Sequence, residues 1–399
     1  MRLNLLIDAS SIFYRSLYTQ GNFGKKSGEK LLESPASQGV FMRKLATDFA
    51  SLIRSIENID RVIVCADSSS WRKSVPIAGG SYKGNRSKDD DSPIDWKSFF
   101  SLIEEFLEVM SSKGYIVSKL QSAEADDLLY LWSVSSHEAG ESVVIVTGDR
   151  DMHQTVKHNE NGTWTIAIDP VTSRRKVRIT QQSFDSVSSS ESQEADIFDT
   201  STWQSSNDKL KSILETNTYE IIDPGKISAS KVIIGDGGDC VPPVFWWPSE
   251  KKLKNRDISP DTMIENFSAE TCTSLGEAKV NAIVESMEIG SWTDLLDDNV
   301  LMSVISLAEK QSKQSFSFEK VKNDIRRNIS LVILDKEIIP SDIVKKFEEE
   351  FSLENTPVRM HRAGILEGTR WWTDKKEIVP SSWDMLQNVP EQKGPEPLF

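Results

Sequence analysis

A set of carboxylates stands out in this sequence because its members fall at the ends of apolar or turn-forming stretches. They are Asp8 in LNLLIDAS, Asp67 in RVIVCADS, Glu124, Asp126 and Asp127 in EADDLLYLW, Asp149 and Asp151 in VTGDRD, and Asp236 and Asp239 in GDGGD. In EADD, a spacing of three puts Glu124 and Asp127 on one face of a helical turn, with Asp126 pointing elsewhere. In TGDRD, a period of two puts Asp149 and Asp151 on one side of an extended chain. In GDGGD the glycines permit a tight turn that presents both aspartates. An aspartate at a strand end is ordinarily a turn or helix cap. Five acidic motifs at element ends, three of them after apolar strands, ask for more. Gathered carboxylates repel one another, which raises their pKa values and destabilises a fold that lacks counter-charge. Divalent cations relieve that repulsion. An oxygen donor set with no His or Cys in these motifs selects Mg²⁺, with Mn²⁺ as a substitute, over zinc. Two such ions about 4 Å apart can activate a water and stabilise the leaving oxygen of a phosphodiester. The chemistry expected is metal-dependent hydrolysis of nucleic acid.

Opposite charge is concentrated in SSSWRKSVPIAGGSYKGNRSK, where Arg72, Lys73, Lys83, Arg86 and Lys88 alternate with Trp71 and Tyr82. Cations hold phosphates, and an aromatic face can stack an unpaired base. Because it follows the Asp67 strand directly, this segment would overhang the acids. Further basic groups lie at Lys251, Lys252, Lys254 and Arg256, and at Arg326 and Arg327. The net charge of -14 runs against a nucleic-acid partner, since phosphate binding ordinarily shows as excess Lys and Arg. The acids of a metal site supply part of that negative charge.

The elements that must carry these groups are legible as buried strands alternating with helices. Leu3–Ile7, Val62–Ala66 and Val143–Val146 are continuous apolar runs, as in central strands buried on both faces. Helical patterns at 39–56 and 95–110 lie between them. The fold class expected is α/β: a mostly parallel central sheet flanked by helices, with functional groups beyond the strand carboxyl ends. A helical C-terminal region follows. The expected division is a nuclease domain at 1–215, a helical DNA-binding region at 216–365 and a flexible tail at 366–399. Poor order is expected at 77–92 and in the Ser-rich stretch 183–206. The chain of 399 residues, 38% hydrophobic and 27% charged, has the composition of a soluble globular protein. No apolar run approaches bilayer length, and MRLNLLIDASS reads as a first strand rather than a signal peptide. Three scattered cysteines, Cys65, Cys240 and Cys272, suit a reducing cytoplasm.

With these motifs in this order, the sequence resembles the flap endonuclease and 5′-nuclease superfamily. Within it, the sequence is most similar to the T-even-type phage RNase H branch of 5′→3′ exonucleases and flap endonucleases. The stretches that carry the resemblance are LIDASSIFYR, VCADSSSWR, YKGNR, AEADDL, VTGDRD, GDGGDCVP and NISLVILDKEIIPSDIVKKF, which cover most of residues 1–350. The resemblance implies a first metal ion among Asp8, Asp67, Asp126 and Asp149, with Glu124 and Asp127 close by. It implies a second ion held or oriented by Asp151, Asp236 and Asp239. Lys83 and Arg86 would act on the scissile phosphate as catalytic cations. Arg72 would contact the passing 5′ strand, and Tyr82 would stack a base. It also implies an arch over the site at about 71–96 and a helix-hairpin-helix-like duplex grip from GDGGD onward. There the chain departs from the family, reading CVPPVFWWPSEKKLKNR where the common hairpin is glycine-rich. The run Lys251–Arg256 is a substitute for the exposed amides that glycine provides.

The implied substrates are DNA with a 5′ flap or nick and RNA–DNA hybrid. The implied role is removal of RNA primers during phage lagging-strand replication, by a monomer without membrane attachment. A phage single-strand-binding protein and a sliding clamp are the implied partners, the clamp through the terminal EQKGPEPLF. Two other readings stay open. A PIN-like ribonuclease would keep the acids but lack YKGNR and GDGGD. A catalytically silent, structure-specific DNA-binding protein would gain nothing from uncompensated carboxylates.

Overall fold

The computed structural model describes residues 2–19, 30–56, 59–77, 79–85, 92–112, 114–170, 175–188, 206–259 and 264–353. Arg86, Lys88, most of the Ser-rich stretch and the terminal EQKGPEPLF lie outside the described residues.

The chain opens with β1 (Leu3–Asp8), α1 (Ala9–Tyr18), α2 (Pro35–Arg54), β2 (Arg61–Cys65), α3 (Trp96–Ser112), β3 (Ile116–Ser118), α4 (Ala125–Glu138) and β4 (Ser142–Val146). It continues through β5 (Lys157–His158), β6 (Trp164–Ile168), β7 (Lys176–Ile179), α5 (Gln181–Ser188), α6 (Ser206–Thr216) and β8 (Thr218–Ile221). The remaining elements are α7 (Pro224–Ile234), β9 (Trp246–Pro248), α8 (Glu250–Lys254), β10 (Cys272–Ser274), α9 (Glu277–Ser286), α10 (Asp298–Ser312), α11 (Phe318–Val332) and α12 (Ser341–Glu350).

The main sheet has the order β3-β2-β1-β4-β6-β7-β8, with β5 pairing with β6. All neighbours are parallel except the β5–β6 and β6–β7 pairs. β1, β2 and β4 are buried along their whole length, as their uninterrupted apolar sequences require when helices cover both faces. β1 lies between the other two, with Asp8 opposite Cys65 and Ile7 opposite Val146. That register brings three strand carboxyl ends to one edge of the sheet. The expected α/β class with a helical C-terminal region is the class observed.

The sheet runs across the expected boundary after residue 215. β8 lies beyond it and pairs in parallel with β7, from Lys176 opposite Thr218 to Ile179 opposite Ile221. The C-terminal helices also return to the first layer. α12 sets Phe347 edge-on against Trp132 of α4, with ring centroids 5.3 Å apart, and Ile339, Ile343 and Val344 join the same apolar cluster. Arg61 reaches the Leu353 carbonyl. α7, α9, α10 and α11 build a second core that includes Ile77 and Tyr82. Asn328 of α11, fully buried, donates to the Val232 and Pro242 carbonyls and so pins α11 to α7.

Phe347 and Trp132 are almost wholly buried, so truncating the phenylalanine leaves a cavity against the indole. Phe347→Ala should cost about 3–5 kcal/mol of stability, measured by chemical denaturation. A loss under about 1 kcal/mol would show that α12 is a loose appendage.

Candidate functional site

Asp8 is the last residue of β1 and the N-cap of α1, a double duty that fixes its carboxylate at the sheet edge. It accepts hydrogen bonds from the Ser11 hydroxyl at 2.5 Å and the Thr147 hydroxyl at 2.7 Å. Thr147, just past β4, in turn accepts from the Asp149 amide, and Ser11 accepts from the Gly148 amide. Asp67, two residues past β2, accepts from the Ala125 amide at 2.8 Å and from the Ser10 hydroxyl. The three strand-end acids are thus seated by hydroxyls and amides, groups that leave their negative charge intact.

Asp126 stands in the first turn of α4 and faces these acids. Burial first, then the charges of Asp149, Asp8, Asp67 and Asp151, push its carboxyl well above the usual range. Burial likewise raises Asp8 to about 6, with Asp67 adding to the shift and the Ser11 and Thr147 hydrogen bonds opposing it. Asp8, Asp67, Asp126 and Asp149 therefore act on one another as a single acidic locus. Among the described residues no three carboxylates close to metal-ligating distance. Even so, four hard oxygen donors whose negative charges bear on Asp8 and Asp126 form a fitting donor set for a divalent cation.

The other expected acids have different employment. Glu124 and Asp127 lie on the opposite side of the α4 N-terminus, joined in a capping box. The Arg72 guanidinium, 1% exposed, pairs with Asp127 at 2.8 Å and Glu124 at 3.2 Å. The Trp71 indole also donates to Asp127. The Tyr82 hydroxyl donates to Glu124 and Asp239, and Lys83 pairs with the same two carboxylates. Burial opposes the ionisation of Glu124, but Lys83 and Arg72 outweigh it and hold its pKa below the usual value. Arg72 and Tyr82 were expected at the substrate. They are buried instead as a structural tie, and 6% exposure leaves the Tyr82 ring no face for a base. Glu124 and Asp127, expected close to the metal, are ion-pair partners of these cations here. Lys83 takes a left-handed backbone conformation, φ 57°, and its amide donates to the Asp239 carbonyl.

The two-residue period expected to align Asp149 with Asp151 also fails. Asp149 caps a 3-10 turn, Arg150–Thr155, and accepts from the Asp151 amide, so the chain is not extended between them. Asp151 turns to Lys231 of α7 at 2.7 Å, and the same ammonium lies 2.6 Å from Asp236. Burial raises Asp151 to about 6 in spite of Lys231, so the ion pair is established at neutral pH. Lys231 escaped the sequence reading because a lone lysine on an apolar helix carries no signal of its own. Its one clue is its place one helical turn before GDGGD. Asp236 also accepts from the Gly238 and Asp239 amides, and Gly235 enters this turn at φ 72°, with the Val241 carbonyl where a Cβ would lie.

Residues 3–187 match the family model of the 5′-3′ exonuclease N-terminal, resolvase-like domain. The DNA polymerase I of a Synechocystis strain is 26% identical over 242 residues, which are 60% of this chain and 20% of that protein. A 5′-3′ exonuclease of Buchnera aphidicola (subsp. Schizaphis graminum) is 26% identical over 159 residues, 39% of this chain and 50% of that one. The chain thus spans half or less of the length of the curated relatives it matches. The phage T5 D15 protein co-crystallized with metal ions overlays at a TM-score of 0.49 with 13% identity, covering 88% of this chain and 98% of that one. That is an outline likeness on which no residue correspondence rests.

Two outcomes test this electrostatic layout. Removing Arg72 leaves two carboxylates without their guanidinium, so Arg72→Ala should destabilise the protein by about 3–5 kcal/mol, read from denaturation midpoints. Asp126 has a raised folded-state pKa, so its contribution to stability is complete below the ordinary value of 3.8 and is lost as pH rises through the folded value. Melting curves without added metal should therefore coincide for Asp126→Asn and the parent near pH ~4. The variant should become the more stable by a margin that widens towards pH ~7.5. A constant margin across that range would contradict the cluster.

Proposed function

We propose that this chain, whose residues 3–187 match the family model of the 5′-3′ exonuclease N-terminal domain, is a metal-dependent 5′→3′ exonuclease and flap endonuclease. Its substrates in this reading are DNA and RNA-primed DNA with a 5′ flap or nick. The observation that supports the reading most is the convergence of Asp8, Asp67 and Asp149, from three adjacent parallel strands, on Asp126. A charge arrangement this costly to a fold suits a hard cation and has no use in a passive binding surface.

Asp8, Asp67, Asp126 and Asp149 would hold one ion. Mg²⁺, or Mn²⁺ in its place, supplies when bound a polarised water and stabilisation of the leaving oxygen. Ser11 and Thr147 keep the Asp8 carboxylate aimed at the sheet edge. Lys83, tethered by Glu124 and Asp239 at the rim, offers an ammonium to a phosphate that arrives there. Arg86 belongs to the same reading. Lys251 and Lys254 are exposed on α8, on the face proposed for the duplex backbone. A second ion near Asp151, Asp236 and Asp239 completes the two-ion scheme. Primer removal in phage lagging-strand replication fits these substrates, with a single-strand-binding protein and a sliding clamp as partners of a cytoplasmic monomer.

A 5′-labelled flap substrate incubated with Mg²⁺, and in parallel with chelator, tests this directly. Short 5′ products should form with Mg²⁺ alone. Asp126→Asn should cut kcat by more than roughly a hundredfold, beyond the usual loss for an outer-shell partner of a metal. Cleavage that persists in chelator, or an undiminished Asp126→Asn enzyme, would defeat the reading.

A further inference from the structure

Lys231 is the cation that joins two acids from distant parts of the chain. Asp151 comes from the 3-10 turn after β4 and Asp236 from the turn after α7. The ammonium sits within 2.7 Å of both, the separation of a charge-assisted contact. Its position is not a chance of surface rotamers. Ala229, Val232 and Ile233, its neighbours on α7, are buried in the helical core. Asp236 is fixed by the amides of its own turn. The 3-10 turn is fixed through Gln154, whose side chain donates to the Val332 carbonyl and accepts from the Leu334 amide. The Asp236 carboxylate is thus held by backbone amides and Asp151 is carried on an anchored turn, and a positive charge spans the gap between them.

A gap between two fixed carboxylates that one cation fills is also where a divalent ion would bind. An Mg²⁺ ion needs its oxygens at about 2.0–2.1 Å, which leaves no room for an ammonium in contact with the same oxygens. Lysine carries its charge on a flexible four-carbon stem, so it can yield the seat without disturbing α7. We propose that Lys231 is a displaceable internal counter-ion: it holds the Asp151–Asp236 seat when no second divalent ion is bound, and the two exclude each other. Uptake of a second ion then frees an ammonium beside the acidic locus, where a substrate phosphate can receive it. By linkage, an anion that captures Lys231 strengthens binding of the second ion by the same factor. The inference rests on the reading of the neighbouring acids as a metal site.

The test is Mn²⁺ binding to the full chain, followed by the paramagnetic resonance of free Mn²⁺ and by calorimetry. The parent should bind one ion tightly and a second weakly. In Lys231→Gln the second ion should bind at least tenfold more tightly with the first unchanged, and Lys231→Arg should stay close to the parent. Absence of Mn²⁺ binding in every protein would overturn the metal reading itself. Normal first-ion binding with an unimproved second ion in Lys231→Gln would overturn the counter-ion inference alone. A second measurement uses the parent and needs no variant to fold. Reductive methylation mapped by mass spectrometry should label Lys231 more in saturating Mn²⁺ than in chelator. Equal or weaker labelling would contradict displacement.

Discussion

Parallel strands that end side by side deliver whatever follows them to one edge of the sheet, and here three neighbouring strands deliver aspartates. The repulsion among those carboxylates must be relieved or borne, and the surrounding structure is organised around which of the two happens at each acid. Glu124, Asp127, Asp151, Asp236 and Asp239 are relieved by Arg72, Lys83 and Lys231. Asp8 and Asp67 are oriented by hydroxyls and amides, and Asp126 bears the accumulated charge. The boundary between the two sets runs through the first turn of α4. Adjacent residues there face opposite ways, Asp126 towards the strand ends and Asp127 towards Arg72.

The same ion pairs join the two layers of the molecule. The segment carrying Trp71, Arg72, Tyr82 and Lys83 grips the α4 N-terminus on one side and the Asp236–Val241 turn on the other. Its cations and its phenol hold the scaffold, although their residue types alone point equally well to phosphates and bases. Burial decides between the two. A guanidinium excluded from water needs its two carboxylates, whereas a phosphate-binding arginine has to remain within reach of solvent.

The strands and the acids at their ends were legible because an apolar run closed by Asp has few other uses in a parallel sheet. The division of labour in EADD was legible too, since helical spacing separates Asp126 from Glu124 and Asp127 without knowledge of their partners. What local pattern cannot carry is pairing over long distance. Arg72 meets Asp127 across an intervening helix and strand, and Lys231 meets Asp151 from α7, a helix that follows β8 in the chain. β8 joins a sheet whose other strands are all encoded before residue 180. The TGDRD reading failed for a local reason. An extended chain was assumed where Asp149 caps its own turn.

The seating of Phe347 on Trp132 ties the order of synthesis to the completeness of the first layer. α4 is made early, yet the apolar cluster that covers its indole is closed by residues near position 350. At roughly 5–20 residues per second, ribosomal synthesis leaves that face open for about ten to forty seconds. Throughout that interval the Trp132 indole lacks the aromatic cover that Phe347 and Phe351 provide. A chain released before α12 is made would keep its acidic motifs but not the cover over the helix that carries two of their central members.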